Sequence, residues 1–182
     1  MKNNAKSTSE VFSEGTFFAI GLSYKKADAE VRGRFSVSEN VQKDILTAGR
    51  QSSIRTLTLI STCNRTELYG FAHKAKDLIA LLCEHTTGSI SEFEKVAYVY
   101  QNQQAVSHLF KVGTGLDSQI LGDFEIISQL RKSLSRSKKM GMLNPYMERL
   151  GNAVIQASKR IKKETEISTG ATSVSFAAVQ DI

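Results

Sequence analysis

Two runs with strand character, Thr56-Leu57-Thr58-Leu59-Ile60 and Thr66-Glu67-Leu68-Tyr69-Gly70-Phe71-Ala72, stand only five residues apart. The residues between them, Ser61-Thr62-Cys63-Asn64-Arg65, are short, polar and reactive. Parallel neighbours need a crossover of a dozen residues or more, so a connection this short reads as an antiparallel hairpin. A chain built around such a hairpin is not a doubly wound parallel fold, and the connection itself carries chemistry-bearing side chains.

Strand and helix signals mix through the first hundred residues. Thr16 to Tyr24 (TFFAIGLSY) is apolar and aromatic and ends in turn material, which predicts a strand. Ser36 to Arg50 places Val37, Val41, Ile45, Leu46 and Ala48 at helical spacing, with Ser36 or Ser38 as cap and Gly49 near the end. Asp77 to Thr87 is a second helix, carrying Leu78, Ile79, Leu81, Leu82 and Cys83, and Val96 to Tyr100 is a strand. From Asn102 onward the pattern turns helical: Ala105, Val106, Leu109, Phe110 and Val112, then an interruption at Gly113 and Gly115, then Ile120 to Ser137. Pro145, the only proline, opens a last helix running to about Lys163, with Asn144 as its N-cap. The expected class is α+β: a small, mostly antiparallel, ferredoxin-like sheet packed with helices, followed by a helical subregion. The expected division is a polar tail over 1–15, a substrate-binding domain over 16–165, and a linker or the start of a further unit over 166–182. The closing SVSFAAVQDI stops in an apolar stretch with no cap or charged tail, so the natural protein is expected to continue.

With 41% hydrophobic and 23% charged residues, the chain can build a packed core and is not a disordered polymer. No apolar run approaches the roughly 18 residues needed to cross a bilayer. The opening MKNNAKSTSEVFSEG has no apolar segment of the secretory kind. A cytoplasmic, reducing location is expected, in which Cys63 and Cys83 stay free thiols. Their spacing, with His73, His85 and His108 scattered, matches no zinc site. The net charge of +6 is concentrated in two clusters. One is Arg131, Lys132, Arg136, Lys138 and Lys139; the other is Lys159, Arg160, Lys162 and Lys163. Each fits a solvated helix face or a surface for phosphate backbones.

Cys63 leaves a hydrophobic strand into a polar loop. Arg65 beside it favours the thiolate, which is a strong nucleophile toward esters. A small buried cysteine at a strand end is the bland alternative. Arg65 could fork onto a substrate carboxylate, pair with Glu67, or do both. His108 lies in an apolar helical segment, where a satisfied core histidine competes with a proton-transfer role. The stretch from Gly113 to Glu125 has three glycines that allow close backbone approach to a ligand, and Ser118, Asp123, Glu125 and Gln129 add hydrogen-bonding groups. The same glycines also suit a plain turn between capped helices. Their spacing is no dinucleotide fingerprint, since they do not follow a strand.

In order, STCNRTELY and HLFKVGTGLDSQILGDFEIISQL resemble the N-terminal catalytic domain of glutamyl-tRNA reductases. The likeness extends from about Thr16 to the end, through IGLSY, Arg32, Phe35 and SVSFAAV. It implies Cys63 as nucleophile, His108 as the histidine needed for full activity, and Thr62, Asn64 and Arg65 as a substrate-contacting loop, with Arg65 on the glutamate carboxylate. Ser118, Asp123, Phe124, Glu125 and Gln129 fall on further substrate positions. The family usually reads Gly-Glu-Pro-Gln where this chain has Gly122-Asp123-Phe124-Glu125. A carboxylate thus replaces an amide at Glu125, and near a substrate carboxylate it repels unless it meets the substrate ammonium or Arg65.

The implied reaction is attack of the thiolate on the aminoacyl ester of glutamyl-tRNA(Glu), giving a glutamyl thioester. Hydride from NADPH, bound by a following Rossmann-type domain, then yields glutamate-1-semialdehyde for tetrapyrrole synthesis. The chain shows no such domain, so acylation without hydride transfer is expected of it. Glutamate-1-semialdehyde aminomutase is a candidate partner, no membrane is involved, and the whole enzyme is expected to be a homodimer joined beyond this chain. Reversing Arg131, Lys132 and Arg136 is expected to weaken tRNA binding and flatten its salt dependence. Two other readings compete. One is an RNA-binding module with a structural cysteine; the other is a complete thiol hydrolase with Cys63 and His108 as a hydrogen-bonded pair.

Overall fold

The computed structural model describes residues 15–52 and 54–164. The tail over 1–14, SVSFAAV and the expected linker over 166–182 lie outside the described residues. In chain order the elements are β1 (Thr16–Ser23), α1 (Ala29–Phe35), α2 (Glu39–Gln51), β2 (Leu57–Ser61), β3 (Arg65–Ala72), α3 (Ala75–Cys83), α4 (Ile90–Val96), β4 (Tyr98–Gln101), α5 (Gln103–Gly113), α6 (Glu125–Lys139) and α7 (Pro145–Glu164).

The sheet runs in the order β2-β3-β1-β4, and every neighbouring pair is antiparallel. With α1 and α2 between β1 and β2, and α3 and α4 between β3 and β4, this is the split βαβ arrangement that the sequence pattern predicts, with a short extra helix in each crossover. Strand alternation sends successive side chains to opposite faces, so the sheet carries two cores. Phe18, Ile20, Leu22, Leu57, Leu59 and Leu68 face Phe35, Ile45, Leu46, Leu78, Leu82 and Phe93, from α1 to α4. Phe17, Ala19, Ile60, Tyr69 and Phe71 face Leu109, Val112, Leu130, Met147 and Val154, from α5 to α7. The helical subregion is therefore the second layer of the sheet.

Two helices are absent from the sequence reading. Both α1 and α4 are two-turn segments of seven residues with one buried apolar side chain each, too little for a periodic signal. Ser89 and Glu92 nevertheless form a capping box at the start of α4, a signature that was legible. The helix predicted from Ile120 begins at Glu125, because Gly122 sits at φ +79°, outside helical geometry. Cys83 is half-buried at the end of α3 and packs against the first core.

Candidate active site

The β2–β3 hairpin closes on a tip made of Cys63 and Asn64. Thr62 N–H donates to the Arg65 carbonyl at 2.8 Å, and the Thr62 hydroxyl accepts from the Asn64 and Arg65 amides at 3.1 and 3.2 Å. From outside the hairpin, Tyr24 N–H donates to the Asn64 carbonyl at 2.9 Å, and Arg32 Nε donates to the Cys63 carbonyl at 2.9 Å. Arg32 is itself fixed by the Ala27 carbonyl at 2.6 Å. The backbone on both sides of the sulfur is thus held by five bonds, while the Cys63 thiol is free and exposed.

A small cleft, open to solvent, lies beside that thiol. The hairpin contributes Thr62, Cys63, Asn64 and Arg65; the loop after α5 contributes Ser118, Gln119 and Asp123; α6 contributes Glu125, Ile126 and Gln129. Eight of the residues singled out in the sequence therefore meet on one cleft. Phe124 does not line it: this side chain packs into the second core, with the Lys162 ammonium 5.6 Å from its ring centroid. His108 does not line it either. Gln119 and Ile126 join the cleft with no signal in the sequence beyond their place in the glycine-containing stretch.

Below the cleft lies a buried polar cluster centred on Glu67. Alternation along β3 puts Arg65, Glu67 and Tyr69 on the face that α5 covers. Glu67 Oε1 accepts from Arg65 Nη1 and from His108 Nε2, each at 2.9 Å, and also from the Tyr98 hydroxyl. Its Oε2 accepts from the Tyr69 hydroxyl. Tyr98 reaches it across β1 because the intervening residue is Gly21, which is in register with Glu67 on one side and Tyr98 on the other. A Cβ at Gly21 would stand 2.6 Å from the Thr66 carbonyl oxygen and 2.7 Å from Glu67 Cγ. Tyr98 and Tyr100 also pack on the His108 ring, at 5.0 and 4.8 Å between centroids.

Burial by itself would raise the Glu67 carboxyl. The His108 hydrogen bond, the charges of Arg65 and His108 and the Tyr69 hydroxyl outweigh it and hold the carboxyl at about 2. Burial would lower the Arg65 guanidinium, yet Glu67 and its other neighbours raise it above its ordinary value, so it stays charged. Burial and the Glu67 charge push both Tyr69 and Tyr98 up, keeping their hydroxyls as donors.

Arg65 also ties the hairpin to the loop after α5. Its Nη1 meets Asp117 Oδ2 at 3.1 Å and its Nη2 meets the Asp117 carbonyl, while Lys25 pairs with the same carboxylate. A guanidinium has five N–H groups. Three are committed here, which leaves Nε–H and one Nη2 hydrogen, a side-on fork, without a bond among the described residues. The Glu67 pairing weighed in the sequence is therefore present, Asp117 is a partner the sequence did not disclose, and a fork still remains. The loop folds back on itself through Gly122 N–H and the Gly115 carbonyl, 3.2 Å apart. Gly115 sits at φ +75°, and a Cβ there would lie 3.1 Å from the Asp123 carbonyl oxygen. Glu125, in the first turn of α6, lines the cleft and makes no ion pair with Arg65 among the described residues.

No hydrogen bond joins Cys63 to His108 among the described residues; the His108 Nε2–H is spent on Glu67. That removes the fixed pair a one-domain thiol hydrolase needs. Among the described residues no group of three potential ligands could hold a metal ion, and no helix is long and apolar enough to cross a membrane.

Comparison with known proteins gives one answer. Residues 20–165 match the family described as "Glutamyl-tRNAGlu reductase, N-terminal domain". The chain is 66% identical over 166 residues to the glutamyl-tRNA reductase of Christiangramia forsetii, covering 91% of this chain and 40% of that one. It is 60% identical over 167 residues to glutamyl-tRNA reductase 2 of Flavobacterium johnsoniae, covering 92% and 38%. The fold superposes on glutamyl-tRNA reductase from Methanopyrus kandleri with a TM-score of 0.72 at 27% identity, covering 90% of this chain and 38% of that one. The chain spans about two fifths of the length of the relatives it matches.

Proposed function

The chain belongs to the glutamyl-tRNA reductase family, as its N-terminal domain, and from that premise we propose that Cys63 is the acyl-transfer nucleophile for the aminoacyl ester of glutamyl-tRNA. The observation that carries this reading is the exposed, free thiol on a hairpin tip whose backbone is held by five hydrogen bonds, sharing a cleft with Arg65 and Glu125. The Cys63 sulfur attacks the ester carbonyl, an S–C bond forms, and the bond to the ribose oxygen breaks. The proton given up by the thiol balances the one taken by the ribose hydroxyl, and a glutamyl thioester remains.

The free Nε/Nη2 fork of Arg65 holds the glutamate side-chain carboxylate. Asp117 and Glu67 keep that fork fixed, and His108 acts through Glu67 as a positioning residue. Glu125, with no cation of its own in the cleft, takes the substrate ammonium. Thr62, Asn64, Ser118, Asp123 and Gln129 supply hydroxyl, amide and carboxylate groups around the glutamyl moiety.

The described residues do not fit a nicotinamide dinucleotide. Their glycine-rich segment joins helix α5 to helix α6 instead of strand to helix, and no strand–turn–helix cradle follows it. In this reading NADPH is bound outside the described residues, and this chain performs the acylation half of the reaction. The reading also includes a cytoplasmic homodimer joined outside this chain, with glutamate-1-semialdehyde aminomutase taking up the product for tetrapyrrole synthesis.

The test is acid-quenched trapping. Protein mixed with radiolabelled glutamyl-tRNA should retain label in the wild type and lose it in Cys63→Ser. Label retained equally by Cys63→Ser sinks the assignment.

A further inference from the structure

β2 is an edge strand, and the two helical layers meet over its open side. From α6, the Ser133 hydroxyl accepts from Leu59 N–H at 3.3 Å, donates to the Leu59 carbonyl and lies 2.8 Å from the Thr58 hydroxyl, so the edge is closed to another strand. From α2, Gln42 and Glu39 hold Arg136 of α6, the Glu39 carboxylate at 3.3 Å. Between the helices runs a groove with about 700 Å³ of open space, floored by Leu59, Ile60 and Ser61. It leads toward Cys63, because Gln129 lines both this groove and the reactive cleft. At its far end, where Lys132 and Arg136 are again shared, it widens between α2 and α6. That end is bordered by Lys43, Arg131, Lys132, Arg136 and Lys139 against a single carboxylate, Glu39, already engaged by Arg136. Lys43, Arg131, Lys132 and Lys139 are exposed and make no ion pair among the described residues.

We infer that this groove along the β2 edge receives the single-stranded 3′ end of the RNA that carries the acyl group, with its phosphates on the α2–α6 cations and its terminal ribose at Gln129. The inference rests on the proposed function and adds to it the path of the leaving group. The distribution of charge within the groove supports a polyanion entering from one side: the cations gather at its α2–α6 end, while Ser61 and the Gln129 shared with the cleft are uncharged. A groove walled by a helix on each side and floored by a strand suits one chain, not the face of a duplex. The Gln129 amide oxygen is buried and accepts no hydrogen bond, so the junction between groove and cleft has an acceptor waiting for a donor. A ribose hydroxyl is such a donor, and its 2′ member separates RNA from DNA.

The experiment measures binding of a fluorescein-labelled RNA hairpin with a short single-stranded 3′ tail to the full chain, over a series of salt concentrations. The variant is Lys43→Glu/Lys132→Glu/Lys139→Glu. Its control, Lys74→Glu/Lys76→Glu/Lys95→Glu, makes the same charge change in and beside α3 and α4, at residues that do not line the groove. The groove variant should bind at least about tenfold more weakly at low salt. Its log–log salt slope should fall by about 2, from three lost single-strand contacts at roughly 0.7 each. The control should lose much less. Single Lys132→Glu, measured alongside, should move the same way in case the triple variant folds poorly. Equal weakening in groove and control proteins, or none in either, overturns the inference. A separate failure is recognisable: if wild-type Cys63 takes no label from glutamyl-tRNA while the groove variants still lose RNA, the thiol assignment fails and the groove stands.

Discussion

The Glu67→Gln substitution keeps the size of the side chain and one acceptor oxygen while deleting the charge at the centre of the buried cluster. Glu67 is fully buried, and its carboxyl is held at about 2, against an ordinary value of 4.5. A gap of that size corresponds to roughly 3 kcal/mol of native-state preference for the ionised form. Removing one partner of a buried ion pair costs about 3–5 kcal/mol when the other is left uncompensated. Asp117 still faces Arg65 in the variant, so the lower end of that range is expected at pH 7. The sign follows from the depressed value. The contribution is complete above the unfolded carboxyl's range near 4.5 and is lost as pH falls toward 2, where native Glu67 takes up its proton. Urea unfolding of wild type and variant at steps from pH 7 to pH 2 reads this directly. With a slope of about 1–3 kcal/mol per molar urea, the midpoints should differ by about 1–3 M at pH 7. The difference should close between pH 4.5 and 2, since other carboxylates titrate alike in both proteins. A constant difference across that window would refute the account, because it would mean that Glu67 contributes through shape and not through charge.

Other outcomes follow from single contacts. Gly21→Ala should destabilise by about 1–3 kcal/mol in urea unfolding, because its methyl would press on Glu67 and on the Thr66 carbonyl. Ser133→Ala should cost about 1–3 kcal/mol, since the buried Leu59 amide and the Thr58 hydroxyl lose their partner. Alkylation followed by mass spectrometry should modify Cys63 well before Cys83, whose thiol is half-buried and pushed up by burial; equal rates would contradict the hairpin geometry. Glu125→Gln should raise the KM for glutamyl-tRNA in acylation by about tenfold if the carboxylate meets the ammonium; a lower KM would place it against the substrate carboxylate instead.

Much of the site was legible because it is local. Thr62, Cys63, Asn64 and Arg65 sit on one hairpin tip, and a short polar connection between two strands announces itself in any reading of the chain. Ser118, Asp123, Glu125 and Gln129 were legible as a glycine-punctuated junction between helices. The register of the sheet was not: Glu67 looked like a neighbour for Arg65, and nothing in the order of residues says that Tyr98 arrives beside it across a glycine, or that His108 descends from α5 onto the same oxygen. Asp117 was passed over for the same reason, since its bond to Arg65 spans 52 positions.

Taken alone, the sequence determined the strands and most of the helices, the hairpin, the polar loop that carries Cys63 and the family, because periodicity, turn chemistry and motif spacing are properties of neighbours along the chain; that the thiol is exposed was left to the tertiary structure. Only the tertiary structure decided which charges are buried together, that His108 serves Glu67 and not Cys63, and that the basic helix α6 meets α2 over the sheet edge to form a groove leading to the sulfur. Those are facts of register and layer packing, where residues far apart in the chain share a few ångströms, and where burial strengthens a charge–charge interaction that water would have screened.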